Sequence, residues 1–393
     1  MRKALLIFSL LWSVQGIHSQ DSARLLDTFK RNFAIASLDV KLQIIQDAAK
    51  ASGAEMGPLY LQAIDFVLDN SAFIHADIRF RQLGMIALAE VTRIEYVEAR
   101  HALWKLFEAD EETTMRVAVM NAMSVLVQDD NEIVEMMNGW LQTQNAVFAT
   151  GTIPDLQVIA ACIQSLGKIG VPSSFPIVFS AMTLGYSDGI TNLSRQALLG
   201  MPGDFTESLL GILEGSPLAE KKVALIMALA SDKLDDDEKG EIAEYALTMA
   251  LRTTARDVLE REATREMRYL AVAALSERKW SKATEFVIEH FNATLAEYER
   301  GVSGKSFVLE AIATLGNMGA HEAAVRLTQY LVLLNSYTEK GRGYDEQIVL
   351  AVLSNIGKLG DKVSFDDLMY TQYLNYSNTV KKEAKKAAES ISW

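Results

Sequence analysis

Residues that do chemistry in pairs or clusters are scarce in this sequence. There is one cysteine, Cys162, so no intramolecular disulfide can form and no cysteine-based metal site can be assembled. It lies in the apolar run "VIAACIQSL", where a cysteine serves as a small buried hydrophobe. Proline occurs six times and no Gly/Ser-rich stretch is present, so composition marks no linker. Neither a Gly-x-Gly-x-x-Gly fingerprint nor a Gly-x-Ser-x-Gly elbow occurs, which removes the commonest dinucleotide-binding and serine-hydrolase arrangements. Beyond the first residues, no window of 18 residues is purely apolar. The nearest, between Leu156 and Tyr186, is broken by Gln157, Gln164, Lys168 and two prolines, too polar to cross a bilayer.

Positive charge is also short. Against 51 Asp and Glu stand 38 Lys and Arg, a net charge of −13. Such a balance repels phosphate backbones and anionic membrane surfaces, which argues against nucleic acid as a partner. The start of the chain has the form of an export signal. Arg2 and Lys3 precede the apolar run "ALLIFSLLW", which is too short to span a bilayer, and small residues suited to cleavage follow at Gly16 and Ser19. The expectation is a signal peptide over 1–19 and a single domain over 20–393. The mature chain would be exported to the periplasm or, alternatively, secreted, with no membrane insertion once the signal is cleaved. Losing Arg2 and Lys3 would take the net charge from −13 to −15.

What the sequence does contain is a phrase stated nearly three times: "SLGKIGVPSSFPIVFSAM" from Ser165, "TLGNMGAHEAAVRLTQYL" from Thr314 and "NIGKLGDKVSFDDLMY" from Asn355. Counting back from Gly167, Gly316 and Gly357 gives one helical stripe in each copy: Ile159, Ala160, Ile163 and Leu166; Val308, Leu309, Ile312 and Leu315; Val349, Leu350, Leu353 and Ile356. The Gly-x-x-Gly that follows lets the backbone leave the helix through a left-handed residue. Apolar positions then resume at Phe175 and Val178, Ala324 and Leu327, Phe365 and Leu368, so each copy predicts a helix hairpin. The Leu315 position extends to Ala48, Leu88, Leu126, Leu166, Leu199, Leu229, Leu275, Leu315 and Ile356, at steps of 30 to 46 residues. The pattern is least regular between residues 185 and 270. A period near 40 in paired helices predicts an all-α solenoid.

The three phrases resemble the HEAT-type (armadillo-like) helical repeat, particularly its short bacterial form, in which a Leu-Gly ends one helix and a turn leads into the next. That resemblance implies a right-handed α-α solenoid of about eight or nine hairpins. Family variants include hydroxylases that hold a di-iron pair through several His-Glu dipeptides, and bilin lyases. Only His321-Glu322 is present here, because Ala76, Ala102 and Phe291 follow the other candidates His75, His101 and His290. No enzyme, metal or cofactor is therefore expected; a bilin-lyase-like or metal-dependent protein is the alternative.

Other partial motifs fall short. "GVSGKS" ends like a phosphate-binding loop but has Glu299 where that loop needs glycine. "DKLDDDEKGEIAEYA" is spaced like part of a calcium loop but has Ala246 where a bidentate Glu should close it. The C-terminal helix, with Lys381, Lys382, Lys385 and Lys386, reads as a polar cap to the stack. Tyr370, Tyr373 and Tyr376 are helix-spaced and are expected to pack against the last repeat.

One binding surface is suggested. The connections "LAEYERGVSGKS" and "LNSYTEKGRGYDE" resemble each other, with Tyr298 and Tyr337, like Gly304 and Gly343, 39 residues apart. Equivalent loops of a solenoid line one edge, so Tyr298, Arg300, Lys305, Tyr337, Lys340, Arg342 and Tyr344 are expected to form a ridge that contacts a protein partner. Tyr and Arg are enriched where interfaces concentrate their binding energy.

Overall fold

Much of the acid in this chain is used to start helices. Asp77, Asp130, Asp155, Asp204, Asp235, Asp257 and Asp345 each occupy an N-cap, and their carboxylates accept first-turn backbone N–H groups that have no helical partner. Asp235 and Glu238 form a complete capping box, which gives two acids of the calcium-like stretch a purely helical role. A computed structural model of the protein describes residues 22–51, 55–127 and 130–391; the expected export signal at 1–19 lies outside them. Among the described residues all regular structure is helical, and no strand occurs. The chain divides into two compact units, the first ending at Gly203 and the second beginning at Asp204.

The first unit contains α1 (22–35), α2 (Leu38–Lys50), α3 (Gly57–Asp69), α4 (Ile78–Arg93), α5 (Arg100–Ala109), α6 (Thr113–Leu126), α7 (Asn131–Ala149), α8 (Leu156–Ile169), α9 (Phe175–Leu184) and α10 (Asp188–Gly200). Helices of the same parity pack on one another. In the even layer α2 meets α4, α4 meets α6, α6 meets α8 and α8 meets α10; in the odd layer α3 meets α5, α5 meets α7 and α7 meets α9. The second unit contains α11 (Phe205–Gly215), α12 (Leu218–Ala230), α13 (Asp236–Arg252), α14 (Val258–Arg278), α15 (Thr284–Glu299), α16 (Lys305–Met318), α17 (His321–Glu339), α18 (Glu346–Leu359), α19 (Phe365–Thr371) and α20 (Asn378–Glu389). It repeats the scheme, with α12, α14, α16, α18 and α20 in one layer and α11, α13, α15, α17 and α19 in the other.

The nine sequence anchors fall one per even helix, from Ala48 in α2 to Ile356 in α18. Seven of them are buried. The two exceptions lie in the irregular middle, where Leu199 is 37% exposed while its neighbour Leu198 is fully buried, and Leu229 is half-buried beside buried Ala228. The true core register there is one residue earlier, because a Leu-Leu or Ala-Leu doublet fits the helical period at either position. In the three closely matched helices the first, third and fourth stripe residues are wholly buried and the second (Ala160, Leu309, Leu350) is half-buried. Each fully buried Leu or Ile contributes on the order of 1.5–3 kcal/mol.

The Gly-x-x-Gly phrase divides its labour. The second glycine makes the turn: Gly170, Gly319 and Gly360 have φ of 72°, 66° and 65°. The first glycine remains helical and makes room for the next even helix. A Cβ on Gly167 would lie 2.6 Å from the Cβ of Ala197, one on Gly316 2.7 Å from the Cβ of Asn355, and one on Gly357 3.0 Å from the Cα of Ala387. Lys279 and Glu95 take the left-handed role without being glycine, at φ 52° and 54°. Each sends the following aromatic onto a glycine of an earlier odd helix, Trp280 onto Gly240 and Tyr96 onto Gly57.

Two other expectations have clear outcomes. Cys162 is buried, and burial pushes its thiol well above the usual range, which leaves it unreactive. Of the C-terminal tyrosines only Tyr376 is buried; Tyr370 is exposed and donates to Glu339 at 2.9 Å, and Tyr373 is 80% exposed. α19 ends at Thr371, so only Tyr370 lies on it, on its exposed face, and Tyr373 and Tyr376 fall beyond the helix, where helical spacing no longer places them. The lysines of α20 turn away from its buried stripe of Val380, Ala384, Ala387 and Ala388, and Lys382, Lys385 and Lys386 are exposed.

At the beginning of the first unit, Lys41 of α2 does the work of a C-cap. Its ammonium donates to the Phe33 carbonyl and, at 3.3 Å, to that of Ala34 at the end of α1, and it lies 4.4 and 4.6 Å from the Phe33 and Phe66 ring centres. Lys41→Met keeps the packed stem and removes these bonds, and it should speed backbone hydrogen exchange over residues 22–35 more than elsewhere.

Glycine substitutions should separate the two uses of helical glycine. Gly167→Ala adds a methyl where Ala197 already stands and should lower stability by about 1–2 kcal/mol despite alanine's better helix propensity. Gly139→Ala on α7 meets nothing within 4 Å and should raise it by up to about 1 kcal/mol. Denaturant titration of both variants checks the sign.

Candidate functional site

Each of the two related connections begins with a glycine that ends an odd helix. Gly301 and Gly341 both have φ of 70°. In the first connection Gly301 N donates to Tyr298 O at 2.9 Å and Val302 N to Glu297 O at 2.8 Å; in the second Gly341 N donates to Thr338 O at 3.0 Å and Arg342 N to Tyr337 O at 2.9 Å. This places Gly301 opposite Gly341 in the repeat, an offset of 40. The sequence offset of 39, which matched Tyr298 to Tyr337 and Gly304 to Gly343, is therefore one residue short. Tyr298 corresponds to buried Thr338, and Tyr337 to Glu297. Gly304 is the N-cap of α16, and its counterpart as N-cap of α18 is Asp345.

The seven expected residues take up different roles. Lys305, first residue of α16, reaches across to Asp345 at 3.0 Å and so ties the two connections together. The Arg342 guanidinium lies 5.2 Å from the Tyr337 ring centre. Arg300 donates from Nε to its own helix at Ala296 O, 2.9 Å away, and is exposed, as is Lys340. Tyr344 faces inward: its hydroxyl accepts from Ser377 N at 2.9 Å, and its ring meets Tyr376 edge-on at 4.7 Å. It holds the segment before α20 in place and belongs to the packing more than to the ridge.

Two residues that the sequence reading passed over lie beside this ridge. Tyr330 of α17 is buried, and its hydroxyl is pushed up to about 12, by burial first and then by Glu299, Tyr298 and Tyr337 around it. Arg326, one turn earlier on α17, lies 4.8 Å from the Phe291 ring centre and donates to Asn292 Oδ1 at 2.8 Å. Among the described residues it has no carboxylate within ion-pair distance. Nothing in local sequence singles out a helical Arg or Tyr inside an amphipathic run; only the pairing of α15 with α17 brings them to the ridge.

The chemistry available elsewhere is limited. One group among the described residues, His101, Asp130 and Glu132, brings three possible metal ligands together. The same Asp130 oxygen that faces His101 at 3.5 Å is already bound by Arg100, whose guanidinium opposes a cation there, and the other oxygen caps α7. His290 is fully buried with Nδ1 unpartnered, and burial followed by the nearby Arg268 charge pulls its pKa down to about 3, so it stays neutral. His321 opens α17 and pairs with Asp361 at 2.7 Å, which holds its pKa above the usual histidine value. No helix among the described residues is long and apolar enough to cross a membrane.

No family model and no curated protein matches this chain.

The ion pair between the two connections has a definite pH signature. Burial raises the Asp345 carboxyl, but Lys305 and the Ile348 and Gln347 N–H groups outweigh it, so its pKa lies below the usual value. Stability from this group is present above the unfolded pKa, near 4, and is lost as pH falls through the lower folded value. Asp345→Ala should cost about 1–2 kcal/mol at pH 7, cap and ion pair together, and Lys305→Ala about 0.2–1 kcal/mol. Chemical denaturation at stepped pH should show both deficits shrinking below pH 4.

Proposed function

We propose that this protein is an exported HEAT-like α-solenoid that acts without catalysis, as a scaffold or adaptor that binds another protein through its stacked surface. The observation that carries the reading is the alternation within each unit, even helix on even and odd on odd, with one sequence anchor per even helix and glycine clearances between successive members. Helix pairs stacked in this way present equivalent loops along one edge, and the connections around Gly301 and Gly341 share one turn geometry. A right-handed superhelix, export by the first 19 residues and a periplasmic location all belong to this proposal.

The mechanism is recognition on a surface formed before binding. Each of the loops contributes a few contacts, and a framework that is already ordered spends little conformational entropy when its partner arrives. On the ridge, Arg300, Lys340 and Arg342 are exposed cations on an otherwise acidic chain, and Tyr298 and Tyr337 supply broad amphipathic contact. A partner with an acidic, tyrosine-compatible surface fits that chemistry.

Cross-linking and affinity purification of the full chain from its native envelope should recover one protein at fixed stoichiometry. The double variant Tyr337→Ala/Arg342→Ala should reduce its recovery at least tenfold without a change in circular dichroism. Recovery unaffected by the variant would remove the ridge from the proposal. A chromophore in the absorbance spectrum, or stoichiometric iron in the purified protein, would favour the enzymatic alternative instead.

A further inference from the structure

The second unit also has a groove of opposite character, about 570 Å³ in volume, where α11, α13 and α15 come together. Its walls are partly aromatic, from Tyr245, Trp280 and Phe286, and its acids are Asp235, Asp237, Glu238, Glu241 and Glu244. Lys282 is the one basic residue among those lining it.

The acids are not equivalent. Glu244 accepts the Trp280 indole N–H at 2.7 Å, Glu238 accepts Thr206 Oγ1 at 2.9 Å and the Asp235 N–H at 2.8 Å, and Asp235 caps α13. These three fix the walls. Asp237 and Glu241 lie one turn apart on α13, are exposed, and have no cation within ion-pair distance among the described residues. The Trp280 ring cannot move inward, because it rests on Gly240, where a Cβ would come within 2.5 Å of it. Its indole N–H is held by Glu244. A ring fixed at edge and base beside free carboxylates is built to hold a cation on its face.

The structure already places one there. The Lys282 ammonium lies 4.5 Å from the Trp280 ring centre and has no carboxylate within ion-pair distance among the described residues. Lys282 sits on the indole and not on either of the two free carboxylates, Asp237 or Glu241, which identifies the ring face as the cation position. We infer that this groove receives a lysine-bearing segment of a partner protein, whose ammonium replaces Lys282 on Trp280 while Asp237 and Glu241 take its flanking charge. Lys282 then acts as a tethered competitor that fills the position while the groove is empty. The aromatic walls and the groove's length along α13 favour an extended peptide over an isolated ammonium ion.

The inference rests on the reading of the chain as a protein-binding framework, and its test is separate from that of the ridge. The probe is an N-acetylated tetralysine peptide titrated into the full-length protein by calorimetry and tryptophan fluorescence at about 50 mM salt. The expected result is saturable binding that quenches fluorescence. Asp237→Asn/Glu241→Gln should weaken it about tenfold, and Lys282→Ala should tighten it several-fold. Glu135→Gln/Asp188→Asn, an equal loss of charge on exposed helical positions of the first unit, should leave it unchanged. A fully side-chain-acetylated peptide should not bind. Equal weakening by the two acid-neutralised variants would show general attraction to an acidic chain and overturn the inference. An unchanged affinity in Lys282→Ala would overturn the competitor role, and no binding at all would overturn the groove. Loss of the groove with the ridge-dependent partner still recovered would leave the scaffold proposal standing.

Discussion

The close seat between successive even helices is the constraint on which the rest of the structure depends. Where Gly167, Gly316 and Gly357 face Ala197, Asn355 and Ala387, the missing side chain lets two helices approach until backbone and Cβ atoms touch. At those three junctions the closeness fixes the offset between neighbouring pairs, and with it the place of the loops between them. Glycine in a helix interior costs about 1 kcal/mol relative to alanine. Its use at the same point of three pairs shows that packing, and not propensity, selects it. The second glycine of each phrase then ends the helix, so a four-residue phrase sets both the approach and the turn.

How the acid is distributed explains how one chain can present two unlike surfaces. Many aspartates are committed to N-caps, where the helix dipole and first-turn N–H groups hold them, and these contribute to net charge without being available to a ligand. The remaining acids differ in their surroundings from place to place. In the α13 groove they surround a seated tryptophan, and along the Gly301 and Gly341 connections they give way to Arg300, Lys340 and Arg342. Net charge alone would have predicted uniform repulsion of anions and missed both.

The fold was legible to the extent that it is periodic. All nine anchors lie in successive even helices because burial of one stripe every 3.6 residues leaves a mark that repeats. Errors of one residue arose where the pattern is degenerate: the Leu198–Leu199 doublet, and the 39-residue offset between tyrosines that the hydrogen bonds of Gly301 and Gly341 place at 40. Tyr373 misled because the tyrosine spacing continues past the end of α19, and Tyr370 because it lies on that helix's exposed face. The candidate site was legible in its loops and illegible in its helices. Tyr344 turned inward to Ser377, while Arg326 and Tyr330 joined the ridge by a pairing of α15 and α17 that no short window contains. The Trp280 groove was read only as a failed calcium loop, since the indole lies 36 to 45 residues beyond the acids of α13 and its cap in sequence.

A double-mutant cycle at one glycine seat tests the account most directly. Gly316→Ala, Asn355→Gly and the pair together are measured by denaturant titration in the full chain. If the two residues are seated against each other, Gly316→Ala is destabilising in the native background and much less so once Asn355 is glycine, giving a coupling of at least about 1 kcal/mol. Additive effects within about 0.3–0.5 kcal/mol would mean that the helices do not meet there, and would contradict the packing from which every later inference is drawn.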